Sequence, residues 1–493
     1  MNIIHGDCLE ELKKLDDNSV DAVVTDPPYG LSNTKPQQVS DVLKAWVTGD
    51  TVSVPAKRGG FMGKDWDSFV PPPAVWEECM RVLKPGGHMA VFAGARTQDL
   101  MGLSIRLAGF EIRDTLGWVY GSGMPKSLDV SKAIDKRPGV HHHREFAAHL
   151  KEKREAAGLS RQDVSERVVG TRSGACWNWE HHQFPKYEWW PALRDLLGLD
   201  EARWGQIVAE ADREVVGAGF RIDRKDGAVP YGSGTETGHY DITAPATSEA
   251  QRWDGWGTAL KPAIEPILLC RKPLDGTVAN NVLAHGVGGL NIDACRVGTD
   301  VTITKRPVAK SDGKVYGKFN GGEDSENPPG RFPANVLLDE HAAKEMDKQS
   351  AGTRAEKPSK SGTAGATVQE ATWKCWHKPG EEIAGYNDSG GASRFFPVFK
   401  YQAKAPKKER PVIEREDGSK IQHPTVKPVA LMEWLVELIT PPGGVVLDPF
   451  AGSGTTLQAA LNKGFTPIGI EQDADYIKLI EKRLEATRTT HKN

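Results

Sequence analysis

The chain has 493 residues, of which 38% are hydrophobic, and its formal net charge is −3. This length exceeds one ordinary domain and predicts a large core with insertions. We expect no membrane partner, because no stretch approaches the roughly 20 apolar residues of a membrane helix and the amino terminus has no signal pattern. The net charge does not indicate nucleic-acid binding, so any DNA-binding surface must come from local patches.

Six cysteines are scattered along the chain without a Cys-x-x-Cys pair. We therefore expect neither a disulfide framework nor a zinc site, and this cysteine usage fits a reducing cytoplasm. Three consecutive histidines at 141–143 lie in a predicted linker, and we do not interpret them as a metal site.

The first 94 residues alternate strand-like and helix-like patterns. Residues 1–4 predict a short buried strand, 9–15 a helix and 20–25 a second buried strand. Residues 81–94, RVLKPGGHMAVFAG, predict a helix end, a Pro-Gly-Gly turn and another buried strand. Such alternation is typical of a doubly wound α/β sheet.

The carboxyl-terminal part repeats this pattern around a glycine-rich loop. Residues 443–460, GGVVLDPFAGSGTTLQAA, predict a strand, a glycine loop and a helix, and residues 466–484 predict a strand ending at Glu471 and another helix. Glycines let a ligand approach the backbone and a following acid binds ribose hydroxyls, so this pattern indicates nucleoside binding. Taken alone, the loop also fits a plain helix-start turn. It has no lysine that would reach phosphates, so it is not an NTPase-type phosphate loop.

Near the amino terminus, the strand at 20–25 ends in the turn Asp26-Pro27-Pro28-Tyr29. An isolated turn of this kind also fits a surface loop. Two prolines, however, restrict the backbone and keep the carbonyl between them aimed in one direction. Since a glycine loop is also present, we interpret the turn as part of a site.

These segments resemble the amino-methyltransferases of DNA, which use S-adenosyl-L-methionine to methylate exocyclic nitrogens of bases. The motifs that carry the resemblance are DPPY at 26–29, DPFAGSGTT at 448–456, HPTVKP at 423–428 and GD at 6–7. DPPY precedes the glycine loop, as in the permuted β group of the family. The resemblance assigns 1–122 and 421–493 to the amino- and carboxyl-terminal parts of one methyltransferase core.

The resemblance implies a role for each motif. Asp26 and the Pro27 carbonyl accept hydrogen bonds from the target amino group, Pro28 helps to fix the turn, and Tyr29 stacks on a base flipped out of the duplex. The residues implied to bind S-adenosyl-L-methionine are Asp7, Thr425, Lys427, Asp448, Phe450, Gly452, Gly454 and Glu471.

Within this set, Glu471 is implied to bind the ribose and Asp7 to lie near the adenine of the cofactor. Thr425 and Lys427 are implied to lie at its methionine end. His423 is assigned a packing or loop role rather than that of a base.

Two long segments between the motifs predict insertions. Residues 116–127 predict the end of a core strand and 253–273 its returning partner, which would place the first insertion between two adjacent strands. Residues 275–410, rich in Gly, Ser, Lys and Pro, predict the main target-recognition region. Residues 61–67, FMGKDWD, predict an active-site flap.

Within the first insertion, residues 140–205 predict a compact helical domain that resembles the helix-turn-helix of phage repressors. Its second helix follows a Ser160 cap and ends at a Gly170 turn, and its third would enter the major groove. Trp177 is either a core residue or a contact. A helical decoration without DNA contact is the alternative. The candidate base readers are Arg172, Ser173 and Asn178.

A basic run lies near the end of the second insertion. Residues 401–410, YQAKAPKKER, contain four basic residues, and Lys404, Lys407 and Lys408 are candidate phosphate contacts. A solvated surface is the alternative interpretation.

We therefore expect an α/β protein with a doubly wound, mostly parallel sheet, Rossmann-like and circularly permuted, with inserted helical and target-recognition domains. The expected activity is methylation of adenine N6 in a specific double-stranded DNA sequence, because DPPY rather than SPPY favours adenine by family resemblance. The alternatives are a cytosine-N4 methyltransferase, a DNA-binding regulator on an inactive scaffold, and an RNA or protein-glutamine methyltransferase.

The mosaic resembles enzymes of phages and prophages, which act in a bacterial cytoplasm. The sequence leaves open the recognition site, a paired restriction enzyme, and whether the active form is a homodimer.

Overall fold

The computed structural model describes most of the chain. The described residues are 2–32, 34–55, 67–121, 123, 127–135, 143–211, 215–222, 236–245, 248–298, 303–304, 311–313, 317–319, 325–326, 328–350, 359–360, 382–383, 390–399, 410–415 and 417–490.

The strands and helices alternate along much of the chain. In chain order the strands are β1 (Asn2–His5), β2 (Val20–Thr25), β3 (Leu83–Phe92), β4 (Glu111–Val119), β5 (Val215–Ile222), β6 (Glu236–Thr243), β7 (Ile264–Arg271), β8 (Ile303–Thr304), β9 (Ser311–Gly313), β10 (Gly317–Phe319), β11 (Ser325–Glu326), β12 (Val336–Asp339), β13 (Ser359–Lys360), β14 (Glu382–Ile383), β15 (Val398–Phe399), β16 (Ile413–Glu414), β17 (Lys420–Ile421), β18 (Val445–Asp448) and β19 (Thr466–Glu471). The helices are α1 (Cys8–Leu12), α2 (Pro36–Val47), α3 (Pro73–Val82), α4 (Gln98–Leu107), α5 (Val130–Asp135), α6 (His143–Ala156), α7 (Arg161–Val169), α8 (Ala175–His181), α9 (Trp190–Leu197), α10 (Glu201–Ala211), α11 (Ser248–Arg252), α12 (Val278–His285), α13 (Glu340–Ser350), α14 (Val429–Ile439), α15 (Thr455–Asn462) and α16 (Ala474–Thr490).

The chain divides into two compact units. Met1–Gly123 and Ala263–Asn493 together form the sheet unit, and Met124–Pro262 forms the helical unit. Within the described residues, no helix is long and apolar enough to cross a membrane.

The sheet unit is built on one sheet of nine strands in the order β1-β19-β18-β2-β3-β7-β4-β12-β15. All neighbours are parallel except β7, which is antiparallel to both β3 and β4. The expected mostly parallel α/β sheet is therefore confirmed. Strands from both ends of the chain interleave, because β19 and β18 lie between β1 and β2.

Every residue of β2 is buried, as expected for a strand covered on both faces. Successive side chains point to opposite faces, so Val23 packs into the core beneath α1, α2, α3 and α4. Ala22 and Val24 pack on the other side, where α14 and α15 contribute Leu435 and Ala459.

The long segment 275–410 contributes directly to this sheet. β12 pairs with β4, and β15 pairs with β12, so short pieces of that segment extend the sheet at one edge. The recognition role of its other residues stays a prediction. β4 and β7 are antiparallel neighbours, and the chain between them leaves the sheet to form the helical unit.

The predicted Pro-Gly-Gly turn before the third strand was wrong. β3 begins at Leu83, directly after α3 ends, and runs through the Pro-Gly-Gly residues. The strand accommodates them as an irregularity, because its pairing with β2 shifts register between Val20 and Ala22 and Gly86 has a φ of 77°.

The helical unit has its own apolar core between α6 and α10. Ser160 caps α7 by accepting a hydrogen bond from the Asp163 N–H, and α7 ends at Gly170 with a φ of 85°, both as the sequence indicates. The largest buried side chains of this core are Phe146, Trp179, Trp190 and Trp204.

A buried ion cluster joins three helices of this unit. The Glu180 carboxylate of α8 accepts from Arg154 of α6 at 2.5 Å and from Arg161 of α7 at 2.6 Å. The Glu180 side chain is 1% exposed, so its charge depends on these two partners.

Candidate active site

The carboxyl ends of the parallel strands meet at one edge of the sheet. β1, β19, β18 and β2 are parallel neighbours in that order. β7 runs the opposite way and brings Glu265, near its amino end, to the same edge. Ligands of open α/β sheets bind at this edge. The acids that end or directly follow the four parallel strands there are Asp7, Glu471, Asp448 and Asp26.

The turn after β2 is held by hydrogen bonds from outside it. Asp67 Oδ1 accepts from the backbone N–H groups of Tyr29 and Gly30, at 2.8 and 3.0 Å. The Thr97 hydroxyl donates to the Tyr29 carbonyl at 2.6 Å. Gly30 has a φ of 64°, and a Cβ there would lie 2.7 Å from the Val70 nitrogen. A turn already restricted by two prolines is therefore fixed from two sides.

Lys427 lies at the centre of a charge cluster beside this turn. Its Nζ lies 3.0 Å from Asp26 Oδ2 and 3.0 Å from Glu265 Oε2, and it donates to the Tyr29 hydroxyl at 2.9 Å. The Tyr29 hydroxyl donates to Asp26 Oδ1 at 2.7 Å. Both oxygens of Asp26 are thus oriented by named donors.

The protonation of the cluster follows from burial and charge. Burial alone would lower the pKa of Lys427, but the Asp26 and Glu265 charges outweigh burial and raise this pKa. Burial raises the pKa of Tyr29, and the same two acids raise it further. Lys427 is therefore a cation and Tyr29 a neutral phenol, so both act as hydrogen-bond donors toward Asp26.

The loop after β18 depends on two glycines with positive φ. Gly452 and Gly454 have φ values of 53° and 78°, a region that residues with a side chain rarely adopt. The Gly452 N–H donates to Glu471 Oε2 at 2.8 Å. Arg483 of α16 donates from Nε to the Ser453 carbonyl at 2.7 Å. The following strand and the last helix together hold the loop.

Two buried acids flank this loop. Burial raises the pKa of Asp448 to about 6, against hydrogen bonds that lower it. Burial likewise raises the pKa of Glu471 to about 7. Asp448 Oδ1 accepts from the Thr25 hydroxyl at 2.7 Å and from the Phe450 N–H at 3.1 Å. The Thr25 bond links the strand before DPPY directly to the strand before the glycine loop.

The HPTVKP segment contacts both halves of the site. A Cβ at Gly452 would lie 3.0 Å from His423 Nε2, and the His423 ring meets Tyr476 edge-on with centroids 4.7 Å apart. His423 Nδ1 also bonds the Thr425 carbonyl. These contacts agree with a packing and loop role for His423, while Lys427 reaches the charge cluster.

The profile of the DNA methylase family N6_N4_Mtase matches residues 20–185 and 247–482, which is more than half of the chain. The chain belongs to this DNA methylase family. Its relatives include the Type II methyltransferase M2.DpnII of Streptococcus pneumoniae, 44% identical over 70 residues, which is 14% of this chain and 26% of the relative. The DNA adenine methyltransferase YhdJ of Escherichia coli (strain K12) is 48% identical over 63 residues, 13% of this chain and 21% of the relative.

The chain spans less than a third of the length of the curated relatives that it matches. Among solved structures, the M1.HpyAVI-SAM complex is similar at 14% identity, covering 98% of each chain with a TM-score of 0.33. The sheet order and the site geometry described above do not depend on this likeness.

S-adenosyl-L-methionine is the methyl donor of this family, and the residues at the loop fit it. The two positive-φ glycines leave the backbone open to a ligand, where a Cβ at Gly452 would instead press on His423. Glu471 offers a carboxylate beside that opening. The Gly6 N–H donates to the Glu471 carbonyl at 3.0 Å, which brings the GD motif next to the same strand end.

The remaining residues implied by the resemblance are placed as follows. Asp7 caps α1, accepting from the Leu9 and Glu10 N–H groups at 3.0 and 3.3 Å. Pro27 is buried and Pro28 is partly buried. Phe450 packs against Trp76, with ring centroids 6.3 Å apart. Lys427 lies with the DPPY turn, and its predicted contact at the methionine end stays a prediction.

The candidate DNA readers belong to the helical unit. Arg172 is exposed and pairs with Glu166 at 2.9 Å and Asp163 at 3.4 Å. Ser173 is exposed and Asn178 partly buried. Trp177 is 44% exposed, so it is not a core residue. Lys404, Lys407 and Lys408 lie outside the described residues, as do the flap residues before Asp67 and two of the three histidines at 141–143.

The sequence patterns did not predict that four residues hold the DPPY turn, the charge cluster or the glycine loop; these residues are Asp67, Glu265, Thr97 and Arg483. Asp67 lay inside the predicted flap, and Glu265 lay inside the predicted returning strand, but neither pattern indicated a contact with the DPPY turn. Thr97 and Arg483 stand outside any motif. Only Asp67 had a local sequence signal for a site role, because it is an acid directly after Trp66 in FMGKDWD.

Proposed function

We propose that the methylase transfers a methyl group from S-adenosyl-L-methionine to adenine N6 in double-stranded DNA, after flipping the base out of the duplex. The observation that carries this proposal is the Thr25–Asp448 hydrogen bond. It joins the strand that ends in DPPY to the strand that begins the glycine loop. A base held at the first and a cofactor held at the second would therefore be adjacent.

The target nitrogen is a weak nucleophile, because its lone pair is delocalised into the ring. Asp26 and the Pro27 carbonyl would accept hydrogen bonds from the amino group and localise that lone pair. Bound S-adenosyl-L-methionine would supply an electrophilic methyl group on its sulfonium sulfur. The nitrogen lone pair forms the new N–C bond, the S–C electron pair stays on sulfur, and one amino proton passes to Asp26 and then to water. Fixed acceptors stabilise the positive charge that develops on nitrogen.

Tyr29 supplies an aromatic ring beside the same turn. Its hydroxyl is engaged with Asp26 and Lys427, which sets the orientation of the ring. A flipped base could stack on that ring, and stacking offsets part of the few kcal/mol that unstacking the base costs.

Adenine is favoured over cytosine by the DPPY sequence and by similarity to YhdJ, a DNA adenine methyltransferase. Cytosine N4 is the alternative, because its amino group presents the same chemistry to Asp26. We also propose that the helical domain at 140–205 and the segment 275–410 contact DNA, and that the enzyme acts in a bacterial cytoplasm. A homodimer and a phage origin stay predictions.

The proposal is tested by nucleoside mass spectrometry. Unmethylated DNA of diverse sequence is incubated with the protein and S-adenosyl-L-methionine, digested and analysed for methylated nucleosides. N6-methyladenine would support the proposal, and N4-methylcytosine would retain the mechanism but change the base. Neither product, from protein shown to bind the cofactor, would refute it and favour a regulator or a non-DNA substrate.

A further inference from the structure

The charge cluster at the DPPY turn contains one more carboxylate than the orientation of Asp26 requires. A carboxylate has about four lone-pair positions. The Tyr29 hydroxyl uses one on Oδ1, and Lys427 uses one on Oδ2. These two donors already fix the Asp26 plane and leave positions open for a target amino group. Glu265 contacts Lys427 but not through Asp26, so the presence of this second carboxylate needs a separate explanation.

The explanation lies in the net charge that the turn presents. Positive charge moves from the sulfur of the donor to the base nitrogen during methyl transfer, so acceptors at the nitrogen stabilise the transition state more strongly when they carry net negative charge. Asp26 paired with Lys427 alone would be neutral and would attract that charge weakly. With Glu265 included, one ammonium faces two carboxylates and the cluster carries −1. Because the cluster is partly shielded from water, the difference in transition-state stabilisation between a neutral cluster and one that carries −1 is large.

The surroundings support a fixed rather than an incidental contact. Lys427, Asp26 and Glu265 side chains are only 12%, 21% and 28% exposed. Glu265 is paired with Trp118 of β4, and from Ile267 onward β7 is also paired with β3, so the backbone of Glu265 is held by the sheet. Lys427 Nζ also lies 4.7 Å from the centre of the Phe92 ring, which holds the ammonium between the two acids.

We infer that Glu265 is a positioning residue that neutralises Lys427 and thereby leaves the negative charge of Asp26 available to the target amino group. This inference rests on the proposed methyl transfer. It makes the function of Glu265 depend on Lys427, because Glu265 acts through that lysine and not on the base.

The test is a double-variant cycle on kcat, measured at saturating S-adenosyl-L-methionine with full-length protein. Glu265→Gln makes the cluster neutral and should lower kcat ~100-fold while KM for the cofactor stays within about threefold. Glu265→Asp keeps the charge and should retain kcat to within ~10-fold. Lys427→Met removes the ammonium between the two carboxylates, so their charges repel each other and kcat should also fall.

The decisive protein is the double variant Glu265→Gln with Lys427→Met. It restores a single negative charge on Asp26, so its kcat should exceed that of Glu265→Gln alone by at least ~10-fold. A double variant no faster than Glu265→Gln, or an unchanged kcat in Glu265→Gln, would overturn the inference.

The matched control is Glu111→Gln. Glu111 lies at the other end of the same β4–β7 pair, where it bonds Arg271 at 2.7 Å. Its replacement also removes a carboxylate from an ion pair on this pair of strands but should leave kcat unchanged.

Thermal melts separate failure of the inference from failure of the proposed function. Glu265→Gln and Lys427→Met each remove one charged member of this partly buried cluster and should lower Tm by roughly 2–6 °C, whereas the double variant should recover most of that loss. If the wild type methylates no DNA, the proposed function fails. The thermal melts still test whether Glu265 and Lys427 are energetically coupled. Additive losses in the double variant would show no coupling and would overturn the inference by themselves.

Discussion

The two units each contain a buried cluster of acids and bases, and the clusters have opposite compositions. In the sheet unit, two carboxylates share Lys427. In the helical unit, two guanidinium groups share Glu180. The Glu180 cluster ties three helices together around a side chain that is 1% exposed. The Lys427 cluster lies at the edge of a sheet, beside a fixed turn, with acceptor positions left over.

The difference shows what separates a structural ion cluster from one that can serve a ligand. Burial opposes ionisation of Glu180, but hydrogen bonds from Arg154 and Arg161 outweigh it and lower its pKa. At the glycine loop, burial dominates and raises the pKa of Glu471 to about 7. The helical unit satisfies its buried acid internally, whereas the sheet edge leaves acids whose ionisation is incomplete without a partner.

The largest expected effect is at Asp26. Asp26→Ala removes the acceptor for the target amino group and should lower kcat by at least ~100-fold. Methyl transfer to DNA is the measurement, with cofactor affinity determined in parallel. The control is Asp16→Ala, which removes an exposed acid between α1 and β2. An equal loss of kcat in both variants would mean that Asp26 has no specific role in methyl transfer.

Glu180→Ala tests the structural side of the comparison. It leaves the Arg154 guanidinium, 9% exposed, without its main partner, and should lower the free energy of unfolding by about 3 kcal/mol. Urea unfolding followed by tryptophan fluorescence measures this, because Trp179, Trp190 and Trp204 lie in the same core.

The control for this variant is Glu188→Ala. Glu188 faces Lys186 at 3.8 Å with both side chains 62% exposed, and such surface pairs contribute little. A similar loss in the two variants would contradict a structural role for the Glu180 cluster.

The pH dependence of stability should have opposite signs at the two acids. The folded pKa of Glu471 is raised from 4.5 to about 7, so the folded state binds more protons and its stability falls as pH rises through this window, by roughly 3 kcal/mol. The folded pKa of Glu180 is lowered from 4.5, so its contribution is present above that value and is lost as pH falls through the folded pKa.

Unfolding of Glu471→Gln and Glu180→Gln, compared with wild type between pH 3 and 8 without cofactor, measures both slopes. If the difference in unfolding free energy from wild type changed with pH in the same direction for both variants, the contrast between the two units would be refuted.

The smallest expected effect is at Gly452. Gly452→Ala places a Cβ 3.0 Å from His423 Nε2 at a φ of 53° and should weaken S-adenosyl-L-methionine binding ~10-fold, or about 1.4 kcal/mol. Calorimetric titration measures the affinity. Gly443→Ala is the control, because Gly443 has a φ of 71° with nothing within 4 Å of a Cβ. Both variants carry the backbone strain, so weaker binding in both would attribute the loss to strain alone.

Sequence patterns are sufficient to predict the class of sheet, the turn after β2, the glycine loop and the acid that ends β19. Each of these is a local pattern: a buried run followed by an acid, a glycine or a proline. The helix cap at Ser160 and the helix end at Gly170 belong to the same category, because caps depend on a few adjacent residues. Parallel strand order then brings the strand-end acids to one edge without further information.

The residues that complete the site are known only from the folded arrangement of the strands and loops. Glu265 meets Lys427 because β7 returns antiparallel between β3 and β4, and Asp67 reaches Tyr29 from a segment whose pattern predicted a flap. β12 and β15 join the sheet with four and two residues, too few for periodicity to indicate a strand. Contacts between residues distant in sequence depend on how strands pair and helices pack, and no local pattern encodes the distance between two side chains across a sheet edge.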